Sequence, residues 1–505
     1  MTEPPLSRFV IVGGGTAGWM TAAFLTRYFA PPRASITLIE SAEIATIGVG
    51  EATIPPIRNF NHALGVDEAE FINATNGTFK LGIAFDGWDR PGQSYMHPFG
   101  YTGGKINGTS FHPFWIKARR AGRAGPWGDY GLNTLAARAG RFAWPDPDPS
   151  SPLSSLSYAY HFDAALYAGF LNRLAQTRGV TRIEATVKAV RQSPDDGTIA
   201  AVTLDDGREI EGDFFFDCTG FRARLIGEAL NVPYDDWSSH LPANRAVAIP
   251  GEKVSAPLPY TRAIARAAGW QWRIPLQHRT GHGYVYVADH LGDDEAASQL
   301  LGAIDGRPLA EPRFLRFTSG RRRQAWAGNC LAVGLSGGFL EPLESTSIHL
   351  IQNALTRFAT VFPTRRDDGV SREHYNRLTA REVENIRDFL VFHYHVNGRT
   401  GEPLWDALRH MAIPDSLSEK IALFRARGLT QFPDQTVFQE ENWMAVMLGQ
   451  GLMPETHDPL IDGLPDAALY STLEAIRRDG HRAVDRMPRH EDVLRRLAEP
   501  VSMRS

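Results

Sequence analysis

RFVIVGGGTAGWMTAAFLTRYF, residues 8–29, reads as a strand (Phe9–Val12), a glycine turn and a helix. The glycines fit G-x-G-x-x-G as Gly13, Gly15 and Gly18, with Gly14, Thr16 and Ala17 in the same turn. In that pattern the first glycine permits a tight turn, the second lets backbone approach a pyrophosphate, and the third lets helix pack on strand. The phosphates then sit at the helix N-terminus, where free N–H groups and the helix dipole favour negative charge. A second strand, SITLIE (35–40), ends in Glu40, about 20 residues past the last glycine, where an acid binds ribose hydroxyls. Strand, turn, helix, strand and acid in that order predict a Rossmann-like dinucleotide site.

On this motif alone FAD and NAD stay open, and two later stretches favour FAD. GDFFFDCTG (212–220) is an apolar strand ending in Asp217, and GNCLAVGLSGGFLEPLESTSIHLIQNAL (328–355) is a strand, a glycine-rich turn and a helix. Large FAD-binding, monooxygenase-type folds return to the cofactor at such a late strand–turn–helix, whereas a compact NAD domain closes within about 150 residues. Cys218 and Cys330 lie in apolar strands and read as small buried hydrophobes. YAYHFDAALYAGFLNRLAQTRGV (158–180) has helical spacing, which puts His161 in a helix as a core histidine. RIEATVKAVRQ and IAAVTLDDGREIEGDFFFD alternate around a turn at Asp205–Gly207, as antiparallel strands do. After about residue 363 the chain becomes a series of amphipathic runs joined by Pro/Gly segments. The expected fold is α/β (mixed α+β). A FAD-binding, Rossmann-like module of the monooxygenase type spans 1–362, with substrate-side insertions at about 56–155 and 240–320. A mainly helical subdomain spans 363–505.

The 505 residues exceed one ordinary core, and 43% hydrophobic with 22% charged residues is a globular composition. A net charge of −4 without blocks of like charge argues against nucleic acid as a partner. The N-terminus lacks signal-peptide features, no apolar run reaches the roughly 20 residues of a membrane span, and two cysteines make no disulfide framework. A cytoplasmic location, no membrane and no metal site are therefore expected. Only six of the 53 basic residues are lysine. A lysine amine can lose its proton; a guanidinium in practice cannot.

GGGTAGWM (13–20), IGVGEATIP (47–55), FKLGIAFDGW (79–88), WQWRIP (270–275) and FLEPLESTS (339–347) stand in order along the chain. This set resembles the flavin-dependent halogenases of the tryptophan-halogenase type, and W-x-W-x-I-P is that family's signature. The resemblance runs from the N-terminus to about residue 395. It implies that a separate flavin reductase delivers reduced FAD (FADH2). With O₂ this forms a hydroperoxide, which halide (chloride or bromide) converts to hypohalous acid. The acid crosses a tunnel to a second pocket and halogenates an electron-rich aromatic ring. A homodimer fits the family.

The resemblance also implies site residues. Val49, Glu51, Val187, Leu335 and Ile348 join the glycine turn and Glu40 around the cofactor. Trp270 and Trp272, with Ile274 and Pro275, wall the flavin side from the substrate side and suppress hydroxylation. Two indoles at i and i+2 share one strand face and make a rigid wall, and Pro275 ends or edges the strand. Lys80, an amine among Phe79, Leu81, Ile83 and Phe85, holds hypohalous acid or becomes a haloamine, its proton affinity lowered by the apolar setting. Glu344 polarises the oxidant or accepts the ring proton across the substrate from Lys80. His97 and Phe99 in MHPFG (96–100) flank the ring, and Thr346 and Ser347 hold halide at a helix start.

Two departures from the family stand out. Its E-S-T-G is E-S-T-S here, and serine does not reach φ > 0 as cheaply as glycine, so bromide is the expected halide. In NWMAVMLGQG (442–451), Trp443 and Met444 stand where the family's tyrosine pair holds the amino-acid end of tryptophan. With Trp443 also flanking the ring, the expected substrate is indole or an indole derivative rather than free tryptophan. The competing readings are a FAD-dependent aromatic hydroxylase and a flavin-binding regulator without turnover.

Overall fold

The computed structural model describes residues 6–29, 33–42, 50–363, 368–430, 432 and 437–499. The chain forms two compact units, each assembled from three stretches: 1–77, 162–244 and 316–383 in the first, and 78–161, 245–315 and 384–505 in the second.

The first unit is built on a six-stranded sheet. Its order is Trp326–Ala327, Cys330–Ala332, Phe214–Asp217, Arg8–Val12, Ser35–Glu40, Thr181–Glu184, parallel throughout except for the first pair. Phe9–Val12 and Phe214–Phe216 are buried, as their continuous apolar runs require of a parallel sheet covered on both faces. The helix Thr16–Tyr28 makes the first crossover and packs against the helix Ala164–Thr177. The expected antiparallel strands form a sheet of Val187–Gln192, Ile199–Leu204 and Glu209–Glu211. One cluster of Val10, Val12, Ile39, Ile199, Val202 and Phe215 welds it to the main sheet.

His161 is not in a helix. It lies on the strand Ala159–Asp163, and the helix starts only at Ala164, where the Asp163 carboxylate accepts the N–H groups of Ala165 and Leu166. The capping acid overrides the apolar spacing that runs across the boundary.

The second unit centres on a sheet whose order includes Arg245–Glu252, Arg279–Tyr286, Gly269–Pro275, Thr261–Arg266, Gly82–Asp86 and Ser94–Pro98. All these neighbours are antiparallel except Thr261–Arg266 with Gly82–Asp86. The tryptophan strand is thus interior, not an edge. Pro275 is its last residue, beyond Arg262↔Arg273, where pairing with Thr261–Arg266 stops. The helices Asp415–Arg427, Glu440–Gly449 and Asp466–Arg486 belong to this unit.

The sequence-level cut at 362/363 falls inside the last stretch of the first unit, and the expected insertions overlap the stretches 78–161 and 245–315. Packing is the reason. Phe111, Phe114, Trp115 and Ile116 of the first insertion share one core with Ile461, Leu469 and Leu473 of the C-terminal part. Part of the helical segment therefore shares its core with the first insertion.

Candidate active site

In the first unit the glycine turn is shaped by contact. A Cβ at Gly13 (φ +112°) would come 2.2 Å from the carbonyl oxygen of Cys218, one at Gly14 1.6 Å from Glu40 Oε2, and one at Gly18 1.8 Å from the Gly13 carbonyl. Gly15 faces open space and caps the helix Thr16–Tyr28 without a side-chain hydrogen bond. Its first N–H groups, those of Thr16 and Ala17 among them, therefore have no partner within the helix. Glu40 lies under the turn, accepting Trp19 Nε1–H at 3.3 Å and a hydrogen bond from Arg182, and keeps lone pairs for a ribose hydroxyl. Three glycines packed where no side chain fits, one facing space, and an acid beside them match the FAD pyrophosphate and ribose.

Asp217, which the sequence read only as the end of a strand, organises the facing loop. Its buried carboxylate accepts the N–H groups of Thr219, Leu225 and Ile226 and the Thr219 hydroxyl. Burial raises its proton affinity and these bonds oppose the rise. Glu51 is half-buried, and desolvation pushes its carboxyl up to about 7. Val187 packs against the sheet core, Leu335 sits in the short turn Gly334–Ser336, and Ile348 is buried on the helix Ser347–Thr360. Val49 lies outside the described residues. Both cysteines are buried and desolvation raises their thiols, so neither is a nucleophile.

Glu344 is buried at the end of the turn Pro342–Glu344. The positive φ here (59°) belongs to Ser345. Thr346 (φ −87°) caps the following helix without a side-chain hydrogen bond, and Ser347 is the first helical residue. Ser347 needs no positive φ, because it is already in the first helical turn; what sets it apart from glycine is its side chain. The helix is braced from below. The carboxylate of Glu382 accepts from Asn353 and Arg357 and lies 3.4 Å from His349 Nε2. Burial pushes Glu382 up, but His349 and Arg357 prevail and hold it at about 2.

In the second unit Lys80 is fully buried at the end of the strand Thr78–Lys80, its Nζ 5.2 Å from the ring centroid of Phe99. Its neighbours are pinned. The Phe79 N–H donates to His490 Nε2 at 3.1 Å, and His490 Nδ1–H donates to the Pro257 carbonyl at 2.7 Å. The Thr78 hydroxyl donates to the Pro275 carbonyl at 2.8 Å, so it accepts from His161 Nδ1 at 2.9 Å, while His161 Nε2 meets the Thr261 hydroxyl at 2.9 Å. His161 is thus a satisfied core histidine, held well below its usual range by burial and by Lys80 and His490. Leu81, next to Lys80, donates its N–H to Pro259 and accepts from Phe99 N–H and Asn133.

His97 and Phe99 are buried at the end of the strand Ser94–Pro98 and just beyond it. The His97 ring lies 5.7 Å from Phe389 and 6.4 Å from Phe438, and its Nε2 is 2.9 Å from Asn442 Nδ2. Trp443 is fully buried among Phe389, Phe392 and Phe432, with Lys420 Nζ 5.3 Å over its ring; Met444 is buried too. The two indoles of the tryptophan strand lie 6.1 Å apart. Trp272 rests on Gly283, where a Cβ would come 1.9 Å from the ring, and Trp270 also meets Trp88 at 6.4 Å. Ile274 is buried, and the Pro275 carbonyl is the acceptor for Thr78.

The structure brings Lys80 to Phe99, and His97 and Trp443 to a shared neighbour, Phe389. Sequence reasoning missed Asn442, Phe389, Phe438 and Lys420. The lysine count was a usable signal for Lys420, which is one of six.

A Rossmann-like FAD cradle, an interior tryptophan strand and a buried lysine beside aromatic rings define a flavin-dependent enzyme. The profile of the tryptophan halogenase family matches residues 8–466. Tryptophan 6-halogenase SttH of Streptomyces toxytricini is 35% identical over 523 residues, covering 98% of this chain and 99% of that protein. Tryptophan 7-halogenase RebH of Lentzea aerocolonigenes is 32% identical, covering 97% and 98%. The structure of BrvH, a flavin-dependent halogenase from Brevundimonas sp. BAL3, is similar with a TM-score of 0.94 at 46% identity, covering 98% of this chain and 100% of that one. The chain belongs to the tryptophan halogenase family. It is a flavin-dependent enzyme of halogenation, of a family that uses FAD, halide, aromatic substrates and a separate flavin reductase. The hydroxylase and regulator readings give way to this one. No described helix is long and apolar enough to cross a membrane.

Proposed function

We propose that this enzyme halogenates indole or an uncharged indole derivative in preference to free tryptophan, with Lys80 receiving the oxidised halogen and Glu344 taking the ring proton. Bound reduced FAD, with O₂ and halide, supplies that halogen as hypohalous acid, which reaches Lys80 through a tunnel. The observation that carries the reading is the fully buried Lys80 amine beside Phe99, on backbone pinned by Thr78, Phe79 and Leu81. Such an amine hydrogen-bonds hypohalous acid, or exchanges an N–H for an N–halogen bond with loss of water. Either way the halogen meets the ring in a fixed place. The ring then takes the halogen as a cation equivalent, and its displaced proton goes to Glu344.

His97 and Phe99 flank the ring. The substrate preference rests on Trp443 and Met444, whose side chains offer a carboxylate no hydroxyl donor; burying unpaired charges is costly. The relatives named for tryptophan define the alternative substrate. At the first turn of the helix Ser347–Thr360, free N–H groups suit a halide. The Ser347 side chain favours bromide, the larger and more easily oxidised ion.

The test combines the protein, FAD, a flavin reductase, NADH, chloride or bromide, and a panel of indoles and tryptophan, with products read by mass spectrometry. Halogenated indole is expected. Hydroxylated products, or halogenation of tryptophan alone, would overturn the proposal.

A further inference from the structure

Asn442 is the third residue of the helix Glu440–Gly449, and its Oδ1 accepts the backbone N–H of Gln439 at 2.8 Å. A backbone N–H only donates, so this contact fixes which way the amide points: oxygen toward Gln439, nitrogen away. That nitrogen lies 2.9 Å from His97 Nε2. An amide nitrogen also only donates, so Nε2 must accept, and the ring proton must be on Nδ1. We infer that Asn442 is a positioning residue that holds His97 as a neutral, Nδ1-protonated imidazole beside the ring being halogenated. The inference rests on the reading of His97 as a ring-flanking residue.

The chemistry gives the lock a purpose. Attack by an electrophilic halogen leaves a positive charge on the substrate ring until the proton departs. An imidazolium at stacking distance would repel that charge, slowing the step by about tenfold or more at the effective dielectric of a partly buried pair. With an N–H₂ group facing Nε2, a second proton on His97 is opposed by donor–donor contact.

Among the titratable groups on the elements packed around His97, Tyr95 shares its strand, and Arg138, paired with Asp129, ends the helix Leu132–Arg138 that packs on it. Glu440 and Glu441 start the same helix as Asn442, and Glu440 pairs with His112. Arg387, Asp388 and His393 lie near Phe389 on one helix, with Arg387 and Asp388 paired to each other. Asp86 ends the partner strand and pairs with Arg262. Lys80 Nζ lies over the Phe99 ring.

Asn442→Asp is the discriminating variant. One carboxylate oxygen still caps the helix through Gln439, and the other accepts from Nε2 and so draws a second proton onto His97. Nitrogen NMR of the full-length protein with labelled histidine, the His97 signal assigned by its loss in His97→Phe, reads the tautomer directly. The parent should show neutral Nδ1–H at pH 7 and Asn442→Asp the imidazolium. A parent with Nε2–H or an imidazolium would overturn the inference.

The kcat of Asn442→Asp relative to parent should be about tenfold lower at pH 7 and rise toward one as pH increases. Asn442→Leu, which removes the opposing N–H₂ without adding charge, should lose less than Asn442→Asp at pH 7 and depart further from the parent as pH falls. If the tautomers are as stated but the Asn442→Asp ratio is flat, the place of His97 beside the reacting ring is overturned while the tautomer lock is upheld.

Discussion

At the scale of single residues, two of the six lysines, Lys80 and Lys420, are buried, and the other basic residues are arginines. Lys80→Ala should abolish ring halogenation while FAD binding, followed by flavin absorbance, and peroxide or hypohalous acid formation persist. Full halogenation by that variant would remove Lys80 from the chemistry. Glu344→Gln should lower kcat more than it raises KM, because its part is played in the transition state. Ser347 differs from the family's glycine by its side chain and not by a strained backbone. Bromide should outcompete chloride when both are supplied, and Ser347→Gly should shift the product ratio toward chloride. A ratio unchanged by Ser347→Gly would dispose of a role for that side chain. Lys80, Glu344, His97 and Phe99 were legible as letters in motifs. Asn442 was not, because its role comes from a hydrogen bond across 345 positions of sequence.

Elements hold these residues in place, and here the tryptophan strand and the C-terminal helix matter most. The strand is interior, and Trp272 is seated on Gly283. Gly283→Ala has no room, so the indole must move or the strand must. A destabilisation of about 1–3 kcal/mol is expected from thermal unfolding. If the indoles wall off the flavin, the parent yields no hydroxylated substrate when halide is omitted, and Gly283→Ala yields some.

The second element, the helix His490–Ala498, begins at the residue that ties Phe79 to Pro257 and so fixes the strand carrying Lys80. Burial holds His490 down at about 4, against about 6.5 for a free histidine. The folded state thus keeps it neutral where the unfolded chain takes up a proton. Its contribution is fully present above about pH 6.5 and is lost as pH falls toward 4, by about 3 kcal/mol in all. Denaturant unfolding across that range should show a pH-dependent gap between parent and His490→Gln. A constant gap would contradict the assignment.

On the whole-molecule scale, the side chains proposed to choose the substrate, His97, Phe99 and Trp443, are drawn from distant parts of the chain. Trp443 and Met444 leave no hydroxyl clamp on their helix turn, so kcat/KM for indole should exceed that for tryptophan under identical flavin supply. A preference for tryptophan of about tenfold, worth about 1.4 kcal/mol, would reverse the proposal. It would direct attention to Lys420, the buried ammonium over Trp443. The two units are interleaved in sequence, each made of three stretches, which is why neither can be read as a continuous segment.

The sequence by itself determined the nucleotide-binding turn, the parallel sheet around it, the family, and the positions that carry Lys80, Glu344 and the tryptophan pair. Each of these is local: a glycine pattern obeys the sterics of one turn, an apolar run the burial of one strand, a signature a few adjacent side chains. Only the tertiary structure decided that His161 is a strand residue stitched between Thr78 and Thr261, and that the helical C-terminal segment shares a core with the insertion at Phe111–Ile116. It alone put the positive φ at Ser345 instead of Ser347, and let Asn442 dictate the tautomer of His97. These depend on which capping, packing and hydrogen-bonding partners arrive from elsewhere in the chain, and a pattern along one stretch of sequence holds no record of that arrival.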